Sequence, residues 1–531
     1  MIAGSWGAIR LRTIIGPFLA LAMIVPCAPD SLVRAQSPDT NGLAAAAALE
    51  KAFEQAIGRA ERSVVSIARV RRSSQTIVRT DFNNPFGLDL RNPDSRQERN
   101  IPDSPDFIPT EFGSGIIIAP EGKPDERMIL TNYHVVRGGP VASPSGPSGE
   151  IRLHARFPGG RTCELSIIAA DPRSDLAVLK IDFEKLRQKA ADLQAIRLRG
   201  DAVPLKKGQL VLALGNPYAI ARDGSPSASW GMISNISRRP APLETLADES
   251  IMRKETLHHL GTLLHVDARL DLGASGGALI DLKGELAGIT TSLAALQGYE
   301  KSVGYAIPID SVMRRIINDL TKGHEVEYGF LGMQPDNAYL DEPARRIPDL
   351  GRSTAAKVAS IIPGSPAAKA ELSREDIILE VNGAPVRNRI DLMRLVGQLP
   401  PDTPTKLRVW RSRAQSELTP TVKLGKWPVF DDEGIIATVP RYAAWRGISI
   451  DYATGRKKYF DWPHEFNEAV VVTNVAAGSR GRAAGLNEGD FIALVNGRPV
   501  GTPGEFEAVV SSLKDEVTLE LVGGRRVTVK K

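Results

Sequence analysis

Short apolar runs between turn residues dominate the chain from Gly113 to Ile309: "GSGIIIA", "MILTNYHVV", "CELSIIAA", "LAVLKI", "QLVLALG", "WGMISNI", "ALIDLKGELAGIT" and "VGYAIPI". Runs this short, bounded by Gly, Pro, Asn and Asp, predict strands with little helix between them, hence an all-β barrel or sandwich. Ahead of them, "LAAAAALEKAFEQAIGRAERSVVSI" is rich in helix formers from Leu43 to about Arg62 and then turns β-branched. That predicts a helix leading into a first strand. Residues 72–112 hold so many Pro, Asn, Asp and Ser that a long mobile loop is expected. "LETLADESIMRKETLHHL" (243–260) reads as an inserted helical or irregular segment.

The C-terminal part repeats itself. "GSPAAKAELSREDIILEVNGAPV" (364–386) aligns without gaps on "GSRGRAAGLNEGDFIALVNGRPV" (478–500). Each copy predicts a short helix, a turn, a strand (Ile377–Val381; Phe491–Val495) and an Asn-Gly turn. A second helix (Arg389–Gln398; Pro503–Leu513) and closing strands follow. Two copies this far apart indicate two similar α+β domains, since a solenoid has a shorter period. "KWPVFDDEGIIATVPRY" (426–442) reads as the linker between them.

Composition narrows the class. With 531 residues, 42% of them apolar and 24% charged, the chain is neither disordered nor a multi-span membrane protein, and it is long enough for several cores. The start carries Arg10 and Arg12, an apolar stretch from Ile14 to Val25, and Val33-Arg34-Ala35 as a cut site. This is a secretory signal pattern, with an uncleaved anchor as the alternative. Pro26 before Cys27 argues against lipid attachment. The net charge of +5 becomes +3 once Arg10, Arg12, Arg34 and Asp30 are removed, too small an excess to point to nucleic acid. Cleavage also leaves Cys163 as the remaining cysteine, so no intramolecular disulfide is expected. The seven histidines show no metal spacing, and His258 and His259 read as surface residues.

"DLGASGGALI" (271–280) sets Ser275 in a G-x-S-x-G string. A serine hydroxyl needs a base in reach, and the base needs a carboxylate to hold its tautomer. The α/β-hydrolase elbow requires a helix after the serine and a later histidine. Here a strand, a turn and another strand follow, and the downstream His324 and His464 fall outside the β region. The chymotrypsin order is His, Asp, Ser on an all-β double barrel. His134 at the end of "LTNYHVV" and Asp175 in "DPRSDLAVLKI" supply that order.

At these residues the chain resembles the HtrA/Deg family of trypsin-like serine proteases with C-terminal PDZ domains. The matching blocks are "FGSGIII", "LTNYHVV", "DPRSDLAVLKI", "LALGNPY", "GMISNISR", "GASGGALIDLKGELAGI", "VGYAIPID", "PGSPAAKA" and "AAGLNEGDFIALVNG". The resemblance implies a mainly β fold: a chymotrypsin-like double β-barrel protease domain followed by two PDZ domains. The implied layout is a signal peptide over 1–35, a helical segment over 36–62, the protease domain over 63–325, PDZ domains over 326–425 and 443–531, and a linker over 426–442. It also implies a cell-envelope or periplasmic location, possible tethering by an uncleaved leader, and trimers or multiples of trimers, with no metal or organic cofactor.

In that framework Ser275 is the nucleophile, His134 the base, and Asp175 the residue that orients His134. The N–H groups of Gly273 and Ser275 form the oxyanion hole. "GFLGM" places Phe330, Leu331, Gly332 and Met333 at the carboxylate loop of the first PDZ domain, binding peptide C-termini; "RGISI" (446–450) is the looser counterpart. Three departures stand out. Ala274 replaces the usual Asn or Asp before the nucleophile, Glu371 replaces the glycine found at Gly485, and Arg269 occupies the position where trypsin-type pockets carry an aspartate. Cleavage after Lys or Arg is therefore disfavoured, and small aliphatic residues are the family preference. Two functions follow: an ATP-independent endopeptidase acting on unfolded proteins, or a weakly proteolytic chaperone or scaffold on the same fold.

Overall fold

The computed structural model describes residues 40–71, 109, 111–137, 151–200, 203–216, 223–238, 256–291, 304–340, 347, 350–430, 434–459 and 468–531. The leader, nearly all of the 72–112 loop and residues 243–255 lie outside the described residues. A helix spans Thr40–Ala60, and a single 3-10 turn, Glu61–Ser63, joins it to the first strand.

Twelve strands form two six-stranded barrels. The first contains β1 (Val64–Arg71), β2 (Glu111–Ile118), β3 (Met128–Asn132), β4 (Ile151–Arg156), β5 (Thr162–Asp171) and β6 (Leu176–Ile181). Their order is β5-β4-β1-β2-β3-β6, and β5 pairs with β6 to close the ring. The second contains β7 (Leu210–Gly215), β8 (Ser227–Arg238), β9 (Leu263–Val266), β10 (Ala278–Ile280), β11 (Leu286–Thr291) and β12 (Gly304–Pro308), in the order β10-β11-β12-β9-β8-β7.

The unbroken apolar runs now have a cause. Alternate residues of one strand enter different cores. Ile117 and Leu179 point into the first barrel, while Ile116, Ile118, Leu176 and Val178 enter the seam between barrels. On the other side Val211, Ala213 and Leu279 fill the second barrel, and Leu212, Leu214, Ala278 and Ile280 join the same seam. A strand buried on both faces shows no polar alternation. The helix Ser311–Thr321, capped by Asp310 accepting from Met313 N–H at 2.9 Å, packs Met313, Ile316 and Leu320 against that seam.

Both repeats fold alike. The first orders its strands as Met333–Tyr339, Thr354–Ile361, Ile377–Val381, Pro404–Arg411 and Ser416–Leu418. The second matches it with Ile448–Tyr452, Val470–Val475, Phe491–Val495, Val517–Leu521 and Arg526–Val529. The repeated Gly-Ser is a helix cap: Ser365 Oγ accepts from Ala368 N–H and Ser479 Oγ from Arg482 N–H, both at 3.2 Å. Both Asn-Gly turns place both residues at positive φ, with Asn382 at 51° and Asn496 at 49°.

Two sequence expectations need correction. His258 is not on the surface: it is fully buried on a 3-10 turn, Leu257–Leu260. Adjacent residues on such a turn point different ways, and this one points inward. The 426–442 stretch is also more than a tether. Ile436–Ala437 pairs with Ala169–Ala170 at the edge of the first barrel, and the Lys426 side chain is buried.

Candidate active site

The first barrel places two of the expected residues in contact. His134 lies in the short helix Tyr133–Arg137 that follows β3, and Asp175 precedes β6, its neighbour in the barrel. Asp175 adopts the left-handed region, φ 53°, and its carbonyl accepts from Tyr133 N–H at 2.9 Å and Asn132 Nδ2 at 3.1 Å. This holds the carboxylate against the histidine. Oδ1 accepts from the His134 backbone N–H at 3.1 Å, and both carboxylate oxygens stand 2.9–3.0 Å from Nδ1. A proton on Nδ1 leaves Nε2 as the basic nitrogen. Thr291, on β11 of the second barrel, donates to Asp175 Oδ2 at 3.4 Å, so both barrels hold this carboxylate.

His258 supports the same loop from behind. Its Nε2–H donates to the Ser174 carbonyl at 2.9 Å, and its Nδ1 accepts from Thr262 Oγ1 at 2.7 Å. Burial pushes its pKa down to about 4 against the pull of Asp175, so the ring is neutral near pH 7. Asp171, at the other end of the loop, is raised by burial, although bonds from the Ser174 and Tyr328 hydroxyls oppose the shift.

Ser275 reaches the same seam on the loop before β10. Its side chain is buried, and its carbonyl accepts from Ser114 N–H on β2 at 2.8 Å. Gly113, next to Ser114, packs so tightly that an added Cβ would sit 2.7 Å from Val135 and 3.3 Å from the Ser275 carbonyl. The histidine's chain neighbour and the serine therefore flank one glycine. Gly276, φ +81°, has no alternative: a Cβ there would fall 2.1 Å from the Ser114 carbonyl. Gly273 is also at positive φ, +94°, and among the described residues nothing accepts its N–H. That N–H is available to a ligand oxygen.

The remaining expected positions fall as follows. Arg269 is largely exposed and pairs with Asp271 at 3.0 Å. It borders a cavity of about 300 Å3 lined also by Gly215, Ala228, Leu270 and Ala274. Leu331 and Met333 belong to the core of the first repeat. The carbonyls of Leu331 and Gly332 accept from Ala367 and Ile362 N–H at 2.8 and 3.0 Å, and Gly329-Phe330 pairs with Gly425-Lys426. Residues the motifs did not single out are Ser114, Thr290, Thr291 and His258. Small polar residues inside otherwise apolar strands were the available signal for the first three.

The chain is similar to known serine proteases. Residues 113–289 match a trypsin-like peptidase domain, and residues 357–411, within the first repeat, match a PDZ domain. A DegP-like periplasmic serine endoprotease of Pseudomonas putida (strain GB-1) is 30% identical over 78% of this chain and 78% of its own length. One from Marinomonas sp. is 29% identical over 76% of this chain and 75% of its own. A solved serine endoprotease from Yersinia pestis aligns with 70% of this chain and 97% of its own at 24% identity, with a TM-score of 0.41.

Proposed function

The chain belongs to the family of DegP-like serine endoproteases, and from that premise we propose that it cleaves unfolded or misfolded proteins in the periplasm by ATP-independent acyl transfer. Ser275 Oγ attacks the scissile carbonyl while His134 Nε2 takes its proton. The imidazolium, held by Asp175, then protonates the leaving amine. The N–H groups of Gly273 and Ser275 bind the oxyanion, where one donor contributes roughly 100- to 1,000-fold in rate. A water activated by His134 releases the acyl group. The observation that carries this reading is the two-oxygen grip of Asp175 on His134 at the seam where the Ser275 loop is also held.

The first repeat, and the second as a further PDZ domain, recruit substrate or regulate cleavage by adding a peptide strand and binding its C-terminal carboxylate. Phe330, Leu331, Gly332 and Met333 form that loop in the first copy. With Leu331 and Met333 in the core, backbone N–H groups do the binding. The protein works as a trimer or a multiple of one.

Incubating purified protein with unfolded casein tests the activity. The parent is expected to fragment it and Ser275→Ala to leave it intact, a loss on the order of a millionfold in turnover. If a folded parent also leaves casein intact across a range of temperatures, the second reading takes over: a weakly proteolytic chaperone or scaffold. That reading draws on Ala274, whose methyl group makes no hydrogen bond to brace the loop.

A further inference from the structure

Ala274 removes the side chain that would tie down the turn before the nucleophile, and it borders a cavity rather than a partner. The loop still needs fixed peptide planes, because an oxyanion hole works only when its donors are oriented before the reaction. Two hydroxyls supply this. Thr290 Oγ1 donates to the Ala274 carbonyl at 2.5 Å, fixing the peptide plane that carries the Ser275 N–H. Ser114, fully buried on β2 of the other barrel, does the rest.

We propose that Ser114 is a positioning residue for the oxyanion hole: its hydroxyl and its N–H clamp Gly273 and Ser275 from across the seam. Ser114 Oγ donates to the Gly273 carbonyl at 2.7 Å and accepts from Asn216 N–H at 3.0 Å, so its orientation is set from both sides. Its N–H donates to the Ser275 carbonyl at 2.8 Å, and its carbonyl accepts from Thr131 Oγ1 at 2.7 Å. One residue thus grips both members of the expected oxyanion hole, and Thr131 grips it in turn from β3, the strand that leads to His134. Gly273 is the residue whose torsions are least restrained by its own side chain. A bond to its carbonyl fixes the peptide plane that follows it, shared with the Ala274 N–H, and so anchors one side of the Gly273 Cα about which the plane bearing its own N–H must turn. The Ser114 backbone bonds survive any side-chain change. The hydroxyl alone distinguishes the clamp from ordinary packing.

This inference rests on the serine-protease reading, and the experiment separates the two. In the full chain, Ser114→Ala is compared with the parent on a peptide anilide. Binding of a peptide boronate, which mimics the tetrahedral intermediate, and of the matching uncleavable peptide amide is measured alongside. Ser114→Ala is expected to lower kcat roughly 10- to 100-fold with little change in KM, and to weaken the boronate by the same factor while amide binding holds. Adding Ala274→Asn, whose side chain enters the cavity and braces the loop from its other side, is expected to restore part of kcat. Activity within twofold of the parent, or boronate and amide weakening together, overturns the proposal. An inactive parent overturns the premise instead. Should Ser114→Ala not fold, Ser114→Cys, which keeps a weaker donor at the same atom, carries the same comparison.

Discussion

The two repeats follow one chain path but are attached differently. In both, an aspartate just before the central strand accepts from a backbone N–H three residues before it and pairs with an arginine at an end of a later strand, Arg411 as the last residue of one and Arg525 just ahead of the other. Asp376 takes Ser373 N–H at 2.8 Å and Arg411 at 2.8–3.0 Å; Asp490 takes Asn487 N–H at 2.9 Å and Arg525 at 2.6 Å. The first repeat is then fastened to the loop that carries Asp175. The Tyr328 hydroxyl bonds Asp171, and Arg173 lies 5.8 Å from the Tyr328 ring, 5.7 Å from the Trp427 ring, and donates to the Pro428 carbonyl at 2.5 Å. The second repeat is fastened through charge. Lys426 lies 2.8 Å from Glu325, 3.2 Å from Glu327 and 3.0 Å from Asp451, and Arg456 bonds Glu325 and Asp451. A shared pattern of caps and apolar positions dictates how each repeat folds. Where it sits depends on residues flanking the pattern.

The largest effect is expected where that charge cluster is broken. Lys426→Met leaves three carboxylates around an uncharged side chain and should cost about 3–5 kcal/mol, since a buried pair that loses one partner strands the other. Calorimetry should show the C-terminal part melting earlier, and limited proteolysis should cut within 426–442.

Acid probes the same joint. Burial raises Glu325, but Lys426 and Arg456 outweigh it and hold its pKa at about 2, below its ordinary 4.5. Its contribution is therefore complete above about pH 4.5 and lost as pH falls towards 2. Glu327, raised by burial, contributes with the opposite sign, but its relief comes above about pH 4.5 and is complete before this loss sets in. Across that window the melting temperature of the parent should fall more steeply than that of Glu325→Gln.

Within the repeats the matched arginines sharpen the contrast. Arg411→Ala should cost about 2 kcal/mol because the Asp376 side chain is 2% exposed. Arg525→Ala should cost about 1 kcal/mol or less, because Asp490 is 20% exposed and water can replace the bond. Chemical denaturation of each variant in the full chain reads the difference.

The smallest effect exchanges one helix end for the other. Glu371 sits at φ 56° where the second repeat has Gly485 at φ 84°. Glu371→Gly should gain about 0.5–1 kcal/mol and Gly485→Glu should lose about 1 kcal/mol, since Gly485 has open space around it and backbone strain alone decides the cost.

Much of this architecture was legible in the chain. The strands Ile377–Val381 and Phe491–Val495 fall at their expected bounds, because Asn-Gly turns and β-branched runs are local signals. The order of His134, Asp175 and Ser275 among the strands was readable for the same reason. What stayed hidden depends on contacts between distant segments. Nothing near His258 announces that it caps the Ser174 carbonyl. Ile436 and Ala437 look like linker until β5 is beside them, and Ser114 looks like a spacer between two glycines. Arg269 was read at the position of a pocket residue, yet its side chain lies mostly in solvent beside Asp271.

The central claim is that His134 and Asp175, from one barrel, activate Ser275 from the other. Treating the folded full chain with a fluorophosphonate and mapping the adduct by mass spectrometry tests it most directly. One adduct on Ser275, formed at least about 100-fold more slowly in His134→Ala, is the predicted result. An adduct elsewhere, no adduct on a folded protein, or an unchanged rate without His134 would contradict it.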